Sequence, residues 1–165
     1  MLIAEFDDLP APDAAAVLRP CADVHSFVDA LVAGRPHGTV AALLAAARAQ
    51  ASTWSDAEVE AALADHPRIG ERPSGAGASA ALSGREQAGV DPADGGLQQR
   101  LAEGNRRYEE RFGRIYLVRA AGRTGPELLG LLEQRLTNDP DTERAVTRGQ
   151  LAEIALLRLE GTVHP

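Results

Sequence analysis

Along nearly the whole of this 165-residue chain, apolar side chains recur every three or four residues, and almost nowhere every second one. That spacing suits one face of an α-helix and leaves little room for sheet. Strand-favouring residues are scarce, with aromatics at 4%, and no hairpin dipeptide such as Asn-Gly separates two alternating runs. The expectation is an all-α, single-domain bundle of about eight helices formed by residues 1–165, a length able to bury a core of its own.

Start and stop signals place the helices. Pro12-Asp13 opens a short one through Leu18. Asp23 is expected to cap a second, with Val24, Phe27, Val28 and Leu31 at helical spacing and Gly34 to Pro36 ending it. Thr39 caps a third, Val40 to Ala51. Ser55 caps a fourth, Glu58 completes a capping box, and Pro67 stops it at Asp65-His66 by disfavouring helical backbone in the residue before it. Arg72 to Ala80, rich in Pro, Gly, Ser and Ala, reads as a loop, and Leu82 to Gly89 as two helical turns. Leu97 to Phe112 and Pro126 to Leu136 form longer helices. The last runs from about Thr142 to Leu159, with Val146, Leu151, Ile154 and Leu157 on its apolar face and Gly161 ending it. Ile115 to Val118 is a short apolar run that fits either helix or extended backbone.

Composition narrows the partners. All 17 basic residues are arginine, against 24 acidic ones, for a net charge of −7. No basic patch stands out, which argues against nucleic acid and against an anionic membrane surface. A small molecule or a protein is the expected partner. Cys21 is the single cysteine, so no intrachain disulfide can form. His25, His37, His66 and His164 fall at no metal-ligand spacing, so no metal is expected. With no secretory leader and no apolar span of roughly 18 residues, the expected location is the cytoplasm. No repeat of 20 to 50 residues is visible.

Candidate chemistry concentrates in few places. "DHPRIGERPSGAG", Asp65 to Gly77, sets His66 just past a helix with its backbone fixed by Pro67. Imidazole there suits acid–base work, or it caps the helix as a cation at the negative dipole end. "RPSGAGAS" lacks the spacing, the preceding strand and the lysine of a phosphate-binding loop. In "LSGREQAGV", Ser83 and Glu86 are three apart and share a helical face, either as functional groups or as a capping box opening a short helix. Arg158, set among Ile154, Ala155, Leu156, Leu157 and Leu159, needs an anionic partner if buried, or else carries its charge out to solvent. Arg135 in "LEQRLTND" poses the same question more weakly.

Taken together, "HPRIGERPSG", "SGREQAGV", "NRRYEERFGRIYLV", "LLEQRLTNDPDTERAV" and "EIALLRL" resemble the 2-oxo-4-hydroxy-4-carboxy-5-ureidoimidazoline (OHCU) decarboxylase family, from about Phe6 to Leu159. These enzymes finish the degradation of urate to (S)-allantoin. The resemblance implies an all-helical, cofactor-free enzyme, commonly a homodimer, acting on OHCU. It assigns the catalytic positions to His66, Glu86 and Arg158, and substrate contacts to Pro67, Ser83, Gln87, Ile115, Leu117 and Val118. The run after Phe112-Gly113, a plain aliphatic stretch in the family, here carries Arg114, Tyr116 and Arg119. No transthyretin-like hydrolase segment is fused, so the preceding step is expected to belong to another protein.

The resemblance also implies a mechanism. The substrate carries a hydroxyl and a carboxylate on one ring carbon beside an imine, so electrons released with CO2 flow into its own ring, the task for which other enzymes recruit a cofactor. His66 would exchange a proton with the hydroxyl or a ring nitrogen, and Glu86 would fix N–H groups of the ligand and the state of the histidine. Arg158 would pair with a substrate oxygen, and Ser83 and Gln87 would bond the urea portion. The stretch Gly75 to Ala78 reads as a lid or an ordinary connector. A helical scaffold, or a ureide-binding module without turnover, is the alternative expectation.

Overall fold

The computed structural model describes all residues except Asp65 and residues 72–77. Among the described residues there are nine α-helices and no strand: α1 (Ile3–Asp8), α2 (Ala11–Leu18), α3 (His25–Ala33), α4 (Val40–Ala51), α5 (Asp56–Leu63), α6 (Ala78–Glu86), α7 (Gly95–Phe112), α8 (Gly125–Arg135) and α9 (Pro140–Thr162). The all-α expectation holds, and the ninth helix is α1, too short for its periodicity to register. The chain groups into two compact units, Met1–Ala62 with Leu151–Pro165, and Leu63–Gln150.

The first unit holds α1 to α5 and the end of α9 around Phe6, Leu18, Phe27, Leu31, Leu43, Trp54 and Leu151, all fully buried or nearly so. Phe27 and Trp54 meet edge to face at 5.4 Å. Two of the expected caps form. Thr39 Oγ1 accepts from the Ala42 amide at 3.1 Å. Ser55 and Glu58 bond reciprocally, the Ser55 amide donating to Glu58 Oε2 at 2.8 Å and the Glu58 amide to Ser55 Oγ at 3.3 Å. The Ser26 hydroxyl adds a bond to the same carboxylate, and these bonds together hold Glu58 at a pKa of about 2.

Asp23 does not cap α3. Val24 takes that position without a side-chain bond, and Asp23 pairs with Arg19 at 3.0 Å. Residues 1–3 lie against 162–164: the Met1 ammonium donates to Thr162 O at 2.9 Å, the Ile3 amide to His164 O at 2.8 Å and the His164 amide to Met1 O at 2.9 Å. Helix α9 runs through Gly161 rather than ending there. On it Leu157 is 37% exposed and Arg158 only 4%, the reverse of the expected apolar face.

The second unit packs α6, α7, α8 and the start of α9 around Leu101, Tyr108, Tyr116, Val118, Leu128 and Leu132. Asp94 opens α7 by accepting from the Leu97 amide at 2.9 Å, and Thr124 with Glu127 forms the capping box of α8. Gly113, at φ 70°, closes α7 in the left-handed conformation that glycine adopts without a Cβ penalty. The backbone beyond it is neither helix nor strand through Ala120, which settles the ambiguity of Ile115 to Val118.

Buried in this unit is a charge network. The Arg135 guanidinium donates to Glu143 Oε1 through Nε at 2.8 Å and Nη2 at 2.5 Å, and to Leu117 O through Nη1 at 2.5 Å. The Tyr108 hydroxyl donates to Glu143 Oε1, and Asn138 Nδ2 donates to Oε2 at 2.8 Å. Burial pushes the Tyr108 phenol up to about 12, so it stays a donor at neutral pH. Arg135 also sits over the ring of Tyr116, 4.8 Å from its centroid.

Gly89 marks a close backbone approach. Its carbonyl accepts from the Gly125 amide at 3.0 Å, and a Cβ built on it would lie 2.0 Å from Arg123 O. Because a backbone oxygen cannot swing aside, Gly89→Ala is expected to destabilise the protein by about 1–3 kcal/mol or more. A urea midpoint unchanged from that of the parent would contradict this contact.

Candidate active site

His66 stands three residues beyond α5, its amide donating to Leu63 O at 3.1 Å and its ring half-buried. Pro67 follows and fixes the backbone between His66 and Arg68. Helix α5 ends at Leu63, slightly before the expected stop. The peptide groups beyond Pro67 are held by side chains. Gln87 Nε2 donates to Arg68 O at 3.3 Å and Gln87 Oε1 accepts from the Gly70 amide at 2.9 Å. Asn105 Nδ2 donates to Ile69 O at 2.9 Å. The Arg68 guanidinium forms a two-pronged pair with Glu109, at 2.5 and 2.9 Å.

Helix α6 begins at Ala78, earlier than expected, so Ser83 is the sixth of its nine residues. It cannot be the N-cap, and the capping-box reading of Ser83 with Glu86 falls. Ser83 is buried and Glu86, the last residue of the helix, is half-buried. Since Gln87 immediately follows, its side chain ties this end of α6 to the loop of His66 and Pro67. The structure therefore brings these five predicted residues to neighbouring segments of one unit. Gly75 and Gly77, of the lid stretch, lie outside the described residues, and Ala78 is the first residue of α6.

Ile115, Leu117 and Val118 belong to the same unit, Ile115 half-buried and the others buried. The irregular run is pinned on both sides, Leu117 O by Arg135 and the Arg119 amide by Gln150 Oε1 at 2.9 Å. Among the described residues no acceptor takes the amides of residues 115–118. Peptide N–H groups inside a protein seek a partner.

Arg158 lies in the first unit, where its Nη1 donates to Pro20 O at 3.0 Å. It is buried and does not carry its charge out to solvent. For Arg135 the partner is an internal carboxylate, Glu143. Among the described residues no group of three or more His, Cys, Asp or Glu side chains is arranged to hold a metal ion, and no helix is long and apolar enough to cross a membrane.

Sequence reasoning missed Asn105, Glu109 and Glu143. The first had a signal: Asn105 sits four residues after Leu101 and three before Tyr108, on the buried stripe of α7. A polar residue there needs an internal partner.

Residues 7–160 match the family described as OHCU decarboxylase, and the chain belongs to that family. It is 34% identical over 101 residues to the 2-oxo-4-hydroxy-4-carboxy-5-ureidoimidazoline decarboxylase of Amia calva, a match covering 60% of this chain and 58% of that protein. It is 33% identical over 102 residues to the uric acid degradation bifunctional protein TTL of Arabidopsis thaliana, covering 59% of this chain and 31% of that one. The matched stretch is thus under two thirds of either relative.

Among solved structures, an OHCU decarboxylase crystallised in the presence of (S)-allantoin superposes with a TM-score of 0.71 at 26% identity, over 86% of this chain and 92% of that one. An (S)-allantoin synthase shares the fold, with a TM-score of 0.73 at 19% identity over 99% of this chain and 54% of that chain.

Proposed function

We propose that the protein converts OHCU to (S)-allantoin and CO2 without a cofactor, as the last step from urate to allantoin. The observation that carries this is the family match over residues 7–160, which takes in His66, Glu86 and Arg158 together. Loss of the carboxylate as CO2 leaves its bonding electrons on the ring carbon, from which they move into the adjacent imine. A proton must then be delivered to one face of the flat intermediate. Protein side chains need only orient the substrate and manage that proton.

In this reading His66 is the acid–base group, supported by its place just past α5 with its backbone locked by Pro67. Glu86 fixes ureido or ring N–H groups, and Ser83 sits one helical turn earlier on the same face. Gln87 has one N–H beyond the bond it gives the loop, enough for a urea oxygen. The amides of residues 115–118 contact ligand oxygens, and Pro67 packs against the ring. Arg158, a permanent cation, pairs with the substrate carboxylate or a carbonyl oxygen. A homodimer in the cytoplasm is part of the same proposal and rests on the family likeness alone.

The test is a circular-dichroism time course on OHCU made freshly from urate by urate oxidase and hydroxyisourate hydrolase. The expected result is rapid, protein-dependent growth of the (S)-allantoin signal. A trace no faster than spontaneous decay, ending in racemic product, would overturn the proposal and leave a ureide-binding or scaffold role.

A further inference from the structure

We propose that Asn105, with Gln87, is a positioning residue that holds the His66 loop in its working geometry; this rests on the decarboxylase reading above. Two successive peptide groups carry three bonds from these side chains: Gln87 bonds Arg68 O at 3.3 Å and Gly70 N–H at 2.9 Å, and Asn105 bonds Ile69 O at 2.9 Å. The loop's own backbone supplies little. Among the described residues only His66 N to Leu63 O and Glu71 N to Arg68 O, both 3.1 Å, join main chain to main chain between residues 66 and 71. Its shape is therefore dictated from outside, by α7 and by the residue that follows α6.

Stability does not account for Asn105. The side chain is 3% exposed, and its Oδ1 is buried with no hydrogen-bond partner among the described residues. A buried acceptor left unmet weakens the folded state; leucine would remove that penalty but leave Ile69 O without its donor, so the two changes roughly offset. What leucine cannot do is donate to Ile69 O. Turning the amide over would set oxygen against oxygen, so the bond has one orientation. Gly70, at φ 89°, takes the left-handed turn that brings its amide to Gln87, and a Cβ there would also lie 3.1 Å from Gln98 Oε1. Because Pro67 locks the intervening φ, the direction of the chain at Arg68 and Ile69 is passed on to His66 with little slack. Displacing a catalytic group by about 1 Å can cost about 10²-fold in rate.

Asn105→Leu and Gln87→Met, made in the full chain, test this with kcat, KM, Tm and amide hydrogen exchange at Gly70. For Asn105→Leu the expected result is a kcat about 10²-fold lower, with KM and Tm near the parent's. Gln87→Met should lower kcat likewise and speed exchange at Gly70. A kcat within twofold of the parent in both variants overturns the proposal, as does a loss of activity that merely follows a falling Tm. For Gln87, a raised KM with kcat intact would make it a ligand contact instead. Should Asn105→Leu fail to fold, Gln87→Met on its half-buried site decides alone. A parent protein inert towards OHCU would overturn the decarboxylase reading and the catalytic consequence with it, while exchange at Gly70 separately tells whether the loop is held as described.

Discussion

Replacing His66 with asparagine should leave a folded helical protein whose acceleration of OHCU decarboxylation has fallen by about 10²–10⁴-fold, the usual contribution of a well-placed acid–base group. The fold should survive because the amide bond to Leu63 O remains and Pro67 still fixes the following backbone. Asparagine keeps a polar group of modest size but cannot take up and release a proton near neutral pH. Far-UV dichroism and Tm near the parent's, beside a flat (S)-allantoin trace, are the outcome to look for. A variant that turns over as fast as the parent would remove His66 from the chemistry and reopen the reading of it as a helix cap.

The second large effect concerns stability. Glu143→Ala should cost about 3–5 kcal/mol, because it strips a buried guanidinium of its counter-ion and leaves the Tyr108 hydroxyl and Asn138 amide short of an acceptor. Surface ion pairs such as Arg100 with Glu133 should by contrast contribute no more than about 1 kcal/mol. Urea unfolding by linear extrapolation measures the difference. Removing both partners, as in Arg135→Met with Glu143→Leu, should recover part of the loss, since an apolar pair leaves no stranded charge. A Glu143→Ala protein less than about 1 kcal/mol weaker than the parent would mean that the network is better solvated than its burial implies.

Features set by neighbours in the chain are legible in the sequence itself. Thr39 and the Ser55–Glu58 box cap their helices because the bonds span only three residues. Asp23 has the right chemistry for a cap, but Arg19, four residues earlier, offers its carboxylate a charged partner. Ser83 reads as a cap because Leu82 looks like a beginning, whereas α6 starts at Ala78. The two buried arginines show where local reading stops. Position among apolar residues predicts that each needs a partner, and for Arg135 it is Glu143, eight residues on and brought close only by the turn between α8 and α9. Gln87 and Asn105 are harder still, since their partners are main-chain groups 17 to 36 residues away, and backbone atoms look alike in any sequence.

The pairing of residues 1–3 with 162–164 bears on how that end of the protein comes apart. Short segments outside a packed core ordinarily open one at a time, each at little free-energy cost. Here the Ile3 and His164 amides each find their acceptor on the opposite segment, so neither can peel away without unlatching the other. Removing residues 163–165 should therefore loosen α1 as well, seen as faster amide exchange at Ile3 than in the parent chain.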